Sequence, residues 1–139
     1  MMLRIFNNHP MVMVLNELHF FEQLWSPEDK GKIISKEKAV LLASKLLLIQ
    51  RIGYMTHDRD HTNFTTEANE MINEMNKAEF ISEEVFTFFI KREVALNGKS
   101  IVCEKTPQNV FYIKEIVELY PNARIINMVR DPRAIFLRQ

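Results

Sequence analysis

Ile101-Val102-Cys103-Glu104-Lys105-Thr106-Pro107 and, further on, Ile125-Ile126-Asn127-Met128-Val129-Arg130-Asp131-Pro132-Arg133 are two apolar runs that each stop in a cluster of charge. Between them, Val110, Ile113, Ile116, Val117 and Leu119 recur at helical spacing, and Pro121-Asn122 closes that element. The order predicted is strand over 101–104, helix over Asn109–Leu119 and strand over 124–129. A crossover of this kind joins parallel strands and is almost always right-handed, so both strands release their charged ends at one carboxyl edge of a sheet. Open α/β sheets bind ligands along that edge.

Working outward, residues 2–8 read as the tail of a helix stopped by Pro10, and Met11–Leu15 as a short buried strand carrying Val12 and Val14. Glu17 follows it directly. Ser26-Pro27-Glu28-Asp29 starts a short helix, with serine as cap, proline in the first turn and acids behind it. Ser35 opens a stronger helix, whose Val40, Leu41, Ala43, Leu46, Leu47 and Leu48 give a wide apolar face up to Gly53. Two more amphipathic helices are predicted over 66–78 and 82–96. The second carries Phe86, Phe88 and Phe89, read as core. Thr56–Thr65 is polar and reads as the longest loop, and its sequon Asn63-Phe64-Thr65 matters only in a secreted chain.

The 139 residues are 47% hydrophobic, enough for one ordinary domain that buries roughly two-thirds of its unfolded surface. Lysine plus arginine balances aspartate plus glutamate at 18 each, so no global field favours nucleic acid or an anionic membrane, and any anion site must be local. A single cysteine, Cys103, inside an apolar run excludes an intramolecular disulfide and reads as a small buried hydrophobe in a reducing compartment. No apolar run approaches the ~20 residues that span a bilayer, and the N-terminus lacks a signal peptide's apolar centre. A soluble, cytoplasmic chain is expected.

Glu104-Lys105-Thr106-Pro107-Gln108-Asn109, then a helix, then Pro121 to Ala134, resembles the core of the sulfotransferases that use 3′-phosphoadenosine 5′-phosphosulfate (PAPS). Leu3-Arg4-Ile5-Phe6-Asn7-Asn8-His9-Pro10, followed by Val12 to Glu17, resembles the family segment just after its phosphosulfate loop. The resemblance covers both ends; the middle, from about Ser26 to Gly98, matches only in being helical and variable. It implies an α/β fold of the P-loop NTPase-like type, a parallel sheet flanked by helices. It also implies that residues 1–139 are a single, partial domain. The family's glycine-rich phosphosulfate loop has no counterpart, since Gly31, Gly53 and Gly98 form no phosphate-cradling pattern. The isolated chain is therefore expected to bind donor weakly and not to turn over.

The resemblance assigns roles residue by residue. Glu17, two beyond a buried strand and eight after His9, falls on the family's catalytic base, which takes the acceptor proton. Its alternative is a solvated acid opening a helix over Leu18–Leu24. Lys105 falls on the lysine that contacts the bridging region of the donor, against the alternative of a surface lysine at a strand end. Arg130 matches the arginine that binds the donor's 3′-phosphate; the alternative is a strand-end arginine paired with Asp131. Eight residues later the family has a phosphate-binding serine, and here stands Arg138, whose guanidinium can take that phosphate with a different reach. At Asn16 some family members have another acid, and an amide there can still orient the cleft.

His57-Asp58-Arg59-Asp60-His61 has histidines at i and i+4 but lacks further ligands, so a solvated loop is expected and no metal. The function implied is sulfuryl transfer from PAPS to a hydroxyl or amine of a small-molecule, glycan or peptide acceptor, without nucleic acid. The alternative is an inactive remnant that binds a nucleotide or a partner. A nucleotide kinase would need a G-x-x-x-x-G-K-[ST] loop and a magnesium-binding acid, and neither is present.

Overall fold

A computed structural model describes residues 2–54 and 61–129 of the chain. After the short helix α1 (Met2–Asn7), strand β1 (Val12–Val14) runs parallel to β4 (Ile101–Cys103), pairing Val12 with Ile101, Met13 with Val102 and Val14 with Cys103. The Met11 carbonyl accepts from Ile101 N–H at one end of the ladder, and the Cys103 carbonyl accepts from Leu15 N–H at the other, each at 2.9 Å. Everything between the two strands is one long excursion.

That excursion is mostly helical. Its elements are β2 (Ile33–Ile34), α2 (Lys36–Ile52), α3 (Thr65–Glu74), β3 (Phe80–Ile81) and α4 (Ser82–Leu96). Helix α2 begins where the Ser35 side chain accepts from Lys38 N–H at 3.3 Å, with Glu37 in its first turn. It ends at Gly53, whose φ of 104° a side chain would resist, while the Gly53 N–H still reaches the Ile49 carbonyl at 2.8 Å. β2 and β3 clip the start of α2 to the start of α4 through an antiparallel pair, Ile33 with Ile81 and Ile34 with Phe80.

The core lies between these helices. Leu42, Leu46 and Ile49 of α2, Met71 and Ile72 of α3, and Val85, Phe86 and Phe89 of α4 are buried together with Leu18, Phe20, Phe21 and Trp25. Fully burying one of the larger side chains contributes about 1.5–3 kcal/mol, so this layer dominates the fold's stability. Phe86 stacks on Phe20 with ring centroids 4.1 Å apart and planes 1° from parallel, fastening the segment after β1 to α4. Phe86 and Phe89 are thus core, as their spacing predicted. In α2 the apolar face is turned slightly from the predicted one: Leu41 is exposed, whereas Ala39, Leu42 and Ile49 are buried.

The second predicted strand is not formed. Residues 123–129 carry no ladder, and Ile125, Ile126, Met128 and Val129 are exposed, Val129 at 86%. An apolar run becomes a strand only beside a neighbour that takes its N–H and C=O groups. Among the described residues, β4 gives its paired edge to β1, not to this run. The parallel α/β arrangement stands, but its two strands come from opposite ends of the sequence. The intervening helix is also shorter than predicted: Pro107–Tyr112 forms a tight 3₁₀ stretch, and α5 occupies Ile113–Leu119. Pro107 fixes the entry into that turn.

Candidate functional site

Because β1 and β4 are parallel and in register, the residues just past each strand emerge side by side. The Lys105 ammonium donates to Glu17 Oε1, although the two residues are 88 positions apart in sequence. Both are partly open to solvent, with side-chain exposures of 45% and 37%. Two of the predicted site residues therefore meet at one sheet edge. Arg130 and Arg138 lie outside the described residues.

Glu17 does not open the helix that was its alternative reading. Next to it, Leu18 is buried and His19 takes a left-handed backbone, φ 51°, before the chain enters the wide turn Phe20–Leu24. Such a backbone is uncommon for a residue with a side chain and costs free energy, so its surroundings must hold it. They do so from several sides. The His19 N–H donates to Thr106 Oγ1 at 3.2 Å, its ring stacks on Tyr54 at 3.6 Å, and its Nδ1 lies 2.6 Å from Glu22 Oε2.

Among the described residues His19 Nε2 is buried without a hydrogen-bond partner, and it stands 3.9 Å from Glu17 Oε2. With Nδ1–H donated to Glu22, a neutral ring presents its Nε2 lone pair to Glu17. Glu22, His19, Glu17 and Lys105 thus form a row of groups able to hold or pass a proton. The sequence reading missed His19 and Glu22. Their signal was the pattern Glu17-x-His19-x-x-Glu22, but helical spacing would not have aligned it.

Two further groups fix the frame. The Asn16 amide donates to the Gln50 and Ile49 carbonyls at 2.8 and 3.3 Å, and the Asn16 N–H donates to Gln50 Oε1 at 3.0 Å. These bonds moor the segment before Glu17 to the last turn of α2, whose carbonyls lack helical partners. An acid at position 16 would keep the backbone bond but could not donate the two from the side chain. Glu104, at the end of β4, accepts from Leu18 N–H, Thr106 N–H, Thr106 Oγ1 and the Asn109 amide. Burial pushes its carboxyl above the ordinary range, against the pull of those donors. Partial burial pushes the Cys103 thiol up, with the Glu104 carboxylate adding to it, although the side chain is less buried than its reading as a buried hydrophobe expected.

Among the described residues no group of three or more histidine, cysteine or acidic side chains is arranged to hold a metal ion. The predicted loop residues His57, Asp58, Arg59 and Asp60 lie outside those residues. No helix among the described residues is long and apolar enough to cross a membrane.

Comparison with known proteins gives the family. The sequence matches the Sulfotransferase family over residues 1–139, and the chain belongs to that family. It is 30% identical over 69 residues to a Caenorhabditis elegans protein provisionally named a protein-tyrosine sulfotransferase, an alignment covering 48% of this chain and 27% of that protein. The matched region is thus about a quarter of the relative's length. No solved structure matches the chain.

Proposed function

We propose that the chain transfers a sulfuryl group from PAPS to an acceptor hydroxyl or amine, with Glu17 as general base and Lys105 as the cation at the transferring end. Arg130 and Arg138 are assigned to the 3′-phosphate. The observation that carries this reading is the meeting of Glu17 and Lys105 at the shared carboxyl edge of β1 and β4. Such an edge is where open α/β sheets bind their ligands.

The chemistry asks for both groups. As the acceptor oxygen or nitrogen bonds to sulfur, Glu17 takes its proton; as the bond from sulfur to the phosphate oxygen breaks, Lys105 neutralises the charge left on that oxygen. Their mutual ion pair is no obstacle. A pair this open to water contributes at most about 1 kcal/mol, so an arriving anion can draw Lys105 away and free the base. His19 Nε2 stands 3.9 Å behind Glu17.

The test has two parts. Calorimetric titration with 3′-phosphoadenosine 5′-phosphate should show binding that Arg130→Ala weakens. In a version joined to a family member's phosphosulfate loop, radiolabelled PAPS should pass label to an acceptor in a panel of sugars, amines and tyrosine-bearing peptides, the last included because of the relative's name. Binding indifferent to Arg130, together with no label transferred to any class, would overturn the proposal.

A further inference from the structure

We infer that Glu104 is a positioning residue for the Glu17–Lys105 pair, its carboxylate gathering the backbone beside both residues into one hub. Glu17 and Lys105 are taken here in the roles proposed above. The last backbone bond between the two strands is Leu15 N–H to the Cys103 carbonyl. Beyond it the main chains separate, and side chains take over what the ladder did. Glu104 Oε1 accepts from Leu18 N–H at 3.3 Å and from Thr106 Oγ1 at 2.5 Å; Oε2 accepts from Thr106 N–H at 3.2 Å and from the Asn109 amide.

The Thr106 hydroxyl has one proton, and Glu104 receives it. Its lone pair is therefore turned to the His19 N–H, 3.2 Å away. Two consecutive amides, Leu18 and His19, are thus held by the side chains that flank Lys105. That grip explains the left-handed turn at His19, which brings neighbouring N–H groups to one place. It also fixes Glu17, immediately before Leu18, against Lys105, which lies between Glu104 and Thr106 in the chain. Alternation along the extended segment sends Glu104 inward and Lys105 outward.

The hub works through an ionised carboxylate, a charge that burial makes costly to hold. All four partners of Glu104 are donors, and an ionised acid is acceptor only, whereas a glutamine would turn its own donors on them. Among the described residues its partners include no cation, so the group's task there is orientation and not charge pairing.

The test uses the full chain, isotopically labelled, in amide exchange and side-chain NMR. In the wild type the Leu18 and His19 amides should be protected. Glu104→Gln should speed their exchange about tenfold or more, as losing hydrogen bonds to a charged acceptor does, while Leu15 keeps its protection. The Lys105 ammonium resonance should broaden at the same time. Thr106→Val should release His19, and Thr106→Ser should restore it. With PAPS, Glu104→Gln should lower kcat about tenfold or more at nearly unchanged donor KM, as a displaced catalytic pair does.

Leu18 and His19 amides that stay protected in Glu104→Gln, or an unchanged Lys105 resonance, would overturn the inference. If Glu104→Gln does not fold, Thr106→Val decides it through the same His19 and Lys105 signals. Failure of sulfuryl transfer even by the chain joined to a phosphosulfate loop would strike the proposed reaction and leave the exchange result readable.

Discussion

Asn16 and Gln50 grip each other twice: the Asn16 N–H donates to Gln50 Oε1 at 3.0 Å, and the Asn16 amide donates to the Gln50 carbonyl at 2.8 Å. An aspartate at position 16 would keep the first bond and turn a negative oxygen on the carbonyl end of α2. The dipole there disfavours that charge. Asn16→Asp should cost about 1 kcal/mol, the scale of one partly exposed hydrogen bond. A thermal melt should show a loss of a few degrees.

Glu93 is a sharper case. It is 1% exposed and holds Arg51 through bonds of 2.5 and 2.7 Å. Removing one partner of a buried pair leaves an uncompensated group, and Glu93→Ala should destabilise by about 3 kcal/mol. The figure sits at the low end because Arg51 is partly solvated and keeps Glu67 at 3.3 Å. Urea denaturation would measure it.

If the chain transfers sulfuryl groups, Glu17→Gln should lower turnover about a hundredfold, the usual effect of losing a general base. Its affinity for 3′-phosphoadenosine 5′-phosphate should change little. Arg130→Ala should show the opposite pattern. Undiminished turnover by Glu17→Gln would move the base elsewhere.

Glu104 also gives a pH dependence. Its folded pKa is raised, chiefly by burial. Below its ordinary value of 4.5 both states are protonated, and its stabilising contribution is complete. As pH rises through 4.5 the unfolded chain ionises first, so that contribution is lost progressively until the raised folded value is passed. Wild-type stability should therefore fall relative to Glu104→Gln as pH increases from about 4.5. The exposed acids Asp29, Glu37 and Glu118 are lowered, first by hydrogen bonds from Lys32, Ser35 and Lys30 respectively. They act in the opposite sense and below that window. Denaturation midpoints of both proteins across pH 4–7 would test the slope.

The parts of the fold that repetition writes into a sequence were legible. Ser35 and Gly53 bracket α2 as their chemistry requires, and the apolar spacing of 82–96 gives α4 to the residue. The meeting of Glu17 and Lys105 followed from two short strands each ending in charge. Ile125–Val129 was misread because its composition states what the run could bury, not whether a neighbour lies beside it. The two-residue strands β2 and β3 are too short to show any period. His19 and Glu22 were missed for another reason: both act through a backbone turn, which leaves no mark on residue type, and Asn16, though singled out, gave no sign of the distant helix whose carbonyls it holds.

The parallel pairing of β1 with β4 also sets an order of events. The base and the cation are 88 residues apart in sequence, and no local contact can bring them together. On a ribosome, Glu17 would wait on the order of ten seconds for Lys105 to be made. The helices between could begin to pack during that interval, whereas the sheet edge cannot close until β4 arrives. Contacts so distant slow folding, so the cleft should be the last part of this chain to take shape and the first to be lost when the helical layer loosens.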